Sequence, residues 1–161
     1  MVTLIHMKEL KARPADRVSE APVSYRAGHL VRDSLRGAVP QATVIARLKG
    51  GLPFRELEDL RDLLDLPMDR LAGHLGISRA TLHRRKVAGR LDTGESDRVY
   101  RFARLLALAV ETLESVEAAR AWLAAPQVGL GGESPLVYAE TEVGAREVED
   151  LLGRLEYGVY A

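Results

Sequence analysis

A chain of 161 residues has room for one domain or two small ones, and 47% hydrophobic residues are enough to close a core, which excludes a disordered chain. It contains no cysteine, which excludes a disulfide scaffold, a thiolate metal site and a cysteine nucleophile. The formal net charge is zero, yet residues 1–50 hold nine basic and four acidic side chains and residues 101–161 hold five basic and ten acidic ones, a gradient that points to two different partners.

Residues 1–25, with Pro14, Pro22 and no sustained period, are expected to be weakly ordered. From there on the pattern is helical. Val44, Ile45 and Leu48 form an apolar stripe that ends at Gly50-Gly51. Pro53 suits a first helical position, and Phe54, Leu57, Leu60 and Leu64 follow it at helical spacing. Pro67 opens a short helix with Met68, Leu71 and Leu75, broken by Gly76; Ser78 caps the next, which ends before Gly89. Thr93 is the expected N-cap of the longest helix, where Val99, Phe102, Leu106, Val110 and Leu113 recur at 3 and 4. Leu105, Leu108 and Ala109 widen that stripe, so the middle of the helix is expected to be buried on most sides. Ser115 caps a helix with Val116, Ala119, Trp122 and Leu123 inward, stopped by Pro126. After a Gly-rich loop, Ser134-Pro135 starts a further helix, and a last one, from about Glu142 to Glu156, carries Val143, Val148, Leu151, Leu152 and Leu155. No run alternates with period 2. The expected fold is all-α, divided into 1–25, a helix-turn-helix region over 26–100 and a C-terminal domain over 101–161.

Residues 68–87, MDRLAGHLGISRATLHRRKV, hold the strongest local signal. A helix-turn-helix needs a small residue where its helices cross and a residue tolerant of positive φ in the turn; Ala72 and Gly76 supply them. Leu71, Leu75, Ile77 and Leu82 supply the apolar contacts. Arg85 departs from the pattern, since the third position after Leu82 is usually apolar; its stem can pack while the guanidinium reaches out. With Leu82 inward, Ala80, His83, Arg84 and Val87 point away from the core. Ser78 and Arg79 then sit at the N-terminal end that meets base edges, and Arg84 can pair with guanine. Ser78, Lys86 and Arg90 are candidates for phosphate contacts. The competing reading is an αα-corner with a solvated basic face. Five basic residues from Arg79 to Arg90, with no acid between them, favour DNA.

Signals of catalysis are missing. His6, His29, His74 and His83 have no metal-ligand spacing, and His74 is expected on a helix surface. Gly129–Gly132 lacks the Lys-Ser/Thr of a phosphate loop. Glu147, Glu149 and Asp150 read as an acidic helix surface. No enzyme activity, cofactor or metal is expected. With no apolar run of about 20 residues and no signal-peptide pattern, a soluble cytoplasmic protein without a membrane partner is expected.

The last helix runs out at Glu156, and Tyr157, Gly158, Val159 and Tyr160 follow it. Tyrosines here suit an interface, and they equally suit a tail folded back on its own core. At this point the chain resembles a known family. GISRATLHRRK at 76–86, RLLALAVETLESVEAARAWLAAP at 104–126 and LGGESPLVYAETEVGAREVEDLLGRLEYGVYA at 130–161 resemble the Xre/MbcA/ParS group of type II antitoxins. The last stretch is the most specific, with a Leu-Gly-Gly turn, a Ser-Pro-Leu helix start, a Gly-Ala-Arg-Glu-Val helix and a Gly-Val-Tyr end. The resemblance implies a partner toxin of the RES type, which acts on NAD, together with operator DNA and a homodimer. It implies that the C-terminal segment covers the toxin's active site, through Arg154, Glu156, Tyr157, Gly158, Val159 and Tyr160, and that the helix-turn-helix represses the operon. The alternative is a stand-alone transcription regulator whose C-terminal domain dimerises or senses a ligand.

Overall fold

Residues 29–158 are described by a computed structural model, and among them nine α-helices follow one another without a strand. The all-α class is as expected. The expectations for residues 1–25, and those for Val159 and Tyr160, lie outside the described residues. The helices are α1 (Leu30–Arg36), α2 (Gln41–Gly50), α3 (Phe54–Leu64), α4 (Met68–His74), α5 (Arg79–Ala88), α6 (Thr93–Leu113), α7 (Val116–Ala124), α8 (Pro135–Tyr138) and α9 (Glu142–Glu156), with a 3₁₀ turn at Val128–Leu130.

The broad apolar stripe read from the sequence makes α6 the axis of the molecule. Val99, Phe102, Ala103, Leu105, Leu106 and Ala109 are all buried, and α1, α2, α3, α7 and α9 pack around them. Its cap is Asp92, one residue before the expected Thr93. The Asp92 carboxylate accepts the Glu95 amide at 2.7 Å, and Glu95 Oε2 accepts the Asp92 amide at 2.9 Å, a reciprocal capping box. Thr93 is instead already helical, and its hydroxyl donates to the Lys49 carbonyl at 3.2 Å. Pro53 likewise stands just before its helix, which starts at Phe54.

Helix α1 left no periodic signal, being seven residues long, and its N-terminus is completed from elsewhere in the chain. The fully buried Glu56 of α3 accepts the Leu30 amide at 2.7 Å and the Val31 amide at 3.0 Å. A carboxylate on two free amides at the positive end of a helix dipole makes charge-assisted bonds. Nearby, Arg32 Nε donates to Asp59 at 2.7 Å. Two stripe residues face the other way from the expectation. Ile45 and Val143 are exposed, because α2 turns Val44 and Leu48 to the core, and α9 turns Ala145, Val148 and Leu152.

Candidate functional site

Helices α4 and α5 form the expected helix-turn-helix. Gly76 turns the chain at φ 65°, where a side chain would be strained, and the Ile77 amide closes onto the Ala72 carbonyl at 2.9 Å. Leu71, Ala72, Leu75 and Ile77 are buried at the crossing, and Leu82 packs on them from α5. Ser78 caps α5, its hydroxyl accepting the Thr81 amide at 3.2 Å.

α5 contributes no buried residue, so it lies on the surface and presents its cations. Ser78, Arg79, Ala80, His83, Arg84, Lys86 and Arg90 are all exposed. Arg84 leans on the Thr81 hydroxyl at 3.3 Å, and Arg79 meets Asp69 at 3.4 Å, a solvated pair that holds weakly. Arg90 has a structural task. One of its nitrogens donates to the carbonyls of Gly50 and Gly51 at 2.8 and 2.7 Å, tying the end of the motif to α2.

Arg85 resolves its departure from the motif. Its guanidinium turns to α6 instead of reaching out, with Nε on Glu95 at 2.7 Å and Nη2 on Asp92 at 3.0 Å. The Glu95 carboxylate holds this guanidinium above its ordinary range, so the usual apolar contact is replaced by an ion pair onto the capping box. Arg98 of α6 adds a bond from Nε to the Leu75 carbonyl at 2.7 Å, which fixes the motif's turn. Neither partner follows from local sequence.

The C-terminal helices form a second face. α8 packs on α7 and α9, and α9 lies along α6. Arg101 Nε reaches Glu142 at 3.0 Å and Arg104 Nε reaches Glu149 at 2.6 Å, so two α9 carboxylates are neutralised on its α6 side. Arg154, Glu156, Tyr157 and Gly158 gather at the far end of α9. Tyr157 is 80% exposed, so it is not sheathed by the protein's own helices, which removes the folded-back alternative for this tyrosine. His74 is not the plain surface residue expected. Its side chain is 15% exposed, its ring lies 6.3 Å from that of Phe102, and Nδ1 contacts Glu140 Oε1 at 2.9 Å. It thereby joins the helix-turn-helix to the α8–α9 corner.

Residues 43–104 match the family model described as the antitoxin Xre-like helix-turn-helix domain, and residues 108–158 match the antitoxin Xre/MbcA/ParS C-terminal toxin-binding domain. The chain belongs to the Xre/MbcA/ParS antitoxin family. Among its relatives is an antitoxin Xre of Yersinia enterocolitica, 35% identical over 120 residues that cover 73% of this chain and 81% of the relative. An antitoxin Xre of Photorhabdus laumondii is 30% identical over 116 residues, covering 71% and 78%. The two family domains meet inside α6, the helix shared by both halves. The helix-turn-helix model covers α4 and α5, and the toxin-binding model covers α7, α8 and α9. No described helix is long and apolar enough to cross a membrane, and no described cluster of His, Asp and Glu is suited to a metal.

Proposed function

We propose that this antitoxin inhibits a RES-type toxin that acts on NAD, by covering the toxin's active site with its C-terminal segment, and that it represses its own operon through α5. The observation that carries the toxin half is the uncovered Tyr157 at the end of α9, beside Arg154, Glu156 and Gly158; Val159 and Tyr160 continue this segment. A cleft that binds NAD is open and carries basic groups for the pyrophosphate. An acidic side chain with aromatic rings fills such a cleft by charge and shape.

On the DNA half, Ser78, Arg79, Ala80, His83 and Arg84 face the groove, and Lys86 and Arg90 the phosphates. One short helix reads a half-site with low affinity, so the chain works as a homodimer on a two-fold operator. Residues 26–100 form the DNA-binding and dimerising region, and 101–161 the toxin-binding domain. The protein acts in the cytoplasm and has no catalytic role of its own. The test is co-expression with the protein encoded by the neighbouring reading frame. Deleting residues 154–161 is expected to abolish protection against it while the operator gel shift persists. Full protection by the shortened chain overturns the role of the tail.

A further inference from the structure

Helix α5 buries none of its residues, so few contacts decide how it lies on the scaffold. Leu82 fixes which face turns inward. Among the described residues, two side chains of α5 bond to another element: Arg79 meets Asp69 of α4, and Arg85 meets the first turn of α6. The Arg79 side chain is 87% exposed and its pair is loose at 3.4 Å, whereas the Arg85 side chain is 25% exposed. Arg85 Nε donates to Glu95 Oε2 at 2.7 Å, and Nη2 donates to Asp92 Oδ2 at 3.0 Å. Both acceptors are already fixed by the capping box. The same Glu95 oxygen accepts the Asp92 amide at 2.9 Å, Asp92 Oδ1 accepts the Glu95 amide at 2.7 Å, and Glu95 is buried. The apolar side chain usual at this position of the motif packs without direction and lets a helix rotate. A planar guanidinium held at two nitrogens by two fixed carboxylates has one arrangement.

We infer that Arg85, acting through Asp92 and Glu95, is a positioning residue for sequence recognition: it fixes the rotation and tilt of α5, and so where His83 and Arg84 meet the bases, without touching DNA itself. The inference rests on the operator reading proposed above. Arg84 follows about 100° further back around the helix and is exposed, so any turn of α5 that loosens Arg85 swings Arg84 by the same angle. A bidentate contact to a base edge tolerates little of that, since both of its bonds need to stay in line. The competing role for an arginine on such a helix is a phosphate contact of its own. Two of the three Arg85 guanidinium nitrogens are taken and two carboxylates already meet its charge, which disfavours that role.

The test is a gel-shift titration of the full-length chain on the DNA upstream of its reading frame and on mismatched DNA, at several salt concentrations and well below the melting temperature of each variant. Arg85→Leu restores the apolar residue usual in the motif, and Glu95→Gln removes the buried charge without approaching the DNA. Each is expected to reduce the ratio of operator to mismatched affinity at least fivefold, with the salt slope unchanged. The sign is decisive for Glu95→Gln: it makes the chain more positive, which by charge alone tightens DNA binding, whereas a displaced α5 weakens the operator complex. Asp92→Asn, which still caps a helix, is expected to act in the same direction by a smaller factor, and it carries the test if Glu95→Gln does not fold. A salt slope flattened by about one unit in Arg85→Leu, with wild-type discrimination in Glu95→Gln and Asp92→Asn, makes Arg85 a phosphate contact and overturns the inference. Wild-type discrimination in Arg85→Leu overturns it as well, and leaves the operator reading standing. If the wild-type chain does not discriminate its operator from mismatched DNA, both fall.

Discussion

Glu56, Asp59, Glu95 and Ser96, the buried charged and hydroxyl side chains among the described residues, all lie in the helix-turn-helix half, whereas five of the seven exposed large apolar side chains lie beyond residue 127. In the first half, Glu56 holds the start of α1, Glu95 holds Arg85, and the Ser96 hydroxyl accepts the Leu52 amide at 2.7 Å. Those bonds set helix ends and turns at fixed places in the scaffold beneath α5. In the second half the buried side chains are apolar, Leu123, Leu130, Leu136, Val148 and Leu152 with Ala119, Ala139 and Ala145 between them, while Val128, Val137, Tyr138, Val143 and Tyr157 are left outside. One half therefore buries carboxylates that fix its helix ends; the other closes a purely apolar core and leaves valines and tyrosines outside.

The strongest way to break this contrast is Glu56→Ala. It orphans two buried amides and is expected to lower the unfolding free energy by about 3 kcal/mol or more, measured by chemical denaturation. A loss under about 1 kcal/mol would show that the first half is not held by its buried carboxylates. In the second half, Gly144→Ala drives a methyl group into the Tyr138 carbonyl and is expected to cost about 2–3 kcal/mol in the same assay. Gly153→Ala, in the same helix with open space around it, is expected to stabilise by about 0.5–1 kcal/mol. Equal effects at the two glycines would mean that α8 does not seat closely on α9. On the DNA face, Arg84→Ala is expected to reduce discrimination between operator and mismatched DNA by about 1–3 kcal/mol, while Lys86→Ala weakens all sequences alike and flattens the salt slope by about one unit. The smallest effect is expected where the halves touch. Glu140→Gln removes the charge facing His74, and because the Glu140 side chain is close to half exposed it should change stability by less than about 1 kcal/mol, read by thermal melting.

Much of the helical order was legible in the residues. The stripe of α6, the caps Ser78 and Ser115, the bounds of α9 and the Gly76 turn all rest on interactions within a few positions of one another, and the structure has them as expected. The outward set on α5 was legible for the same reason, since Leu82 fixes the helix's orientation. Ile45 and Val143 were misplaced because both sit at the edge of a stripe, where a small rotation of the helix moves a side chain from core to solvent. Arg85 and His74 were misjudged because their partners, Glu95 and Glu140, lie on other helices.

Periodicity, capping residues, glycines and local charge were enough to define an all-α chain with a helix-turn-helix, because each acts over a single turn of helix and needs no distant partner; the antitoxin family came instead from the resemblance carried by residues 76–86, 104–126 and 130–161. Seating those helices was a different matter: the Glu56 clamp on α1, the Arg85 pair on the capping box and the contact of His74 with the α8–α9 corner each join side chains of different elements, and the exposure of Tyr157 depends on what packs around it. Such contacts leave no period in a sequence, since what selects them is the distance between side chains after packing, not their spacing along the chain.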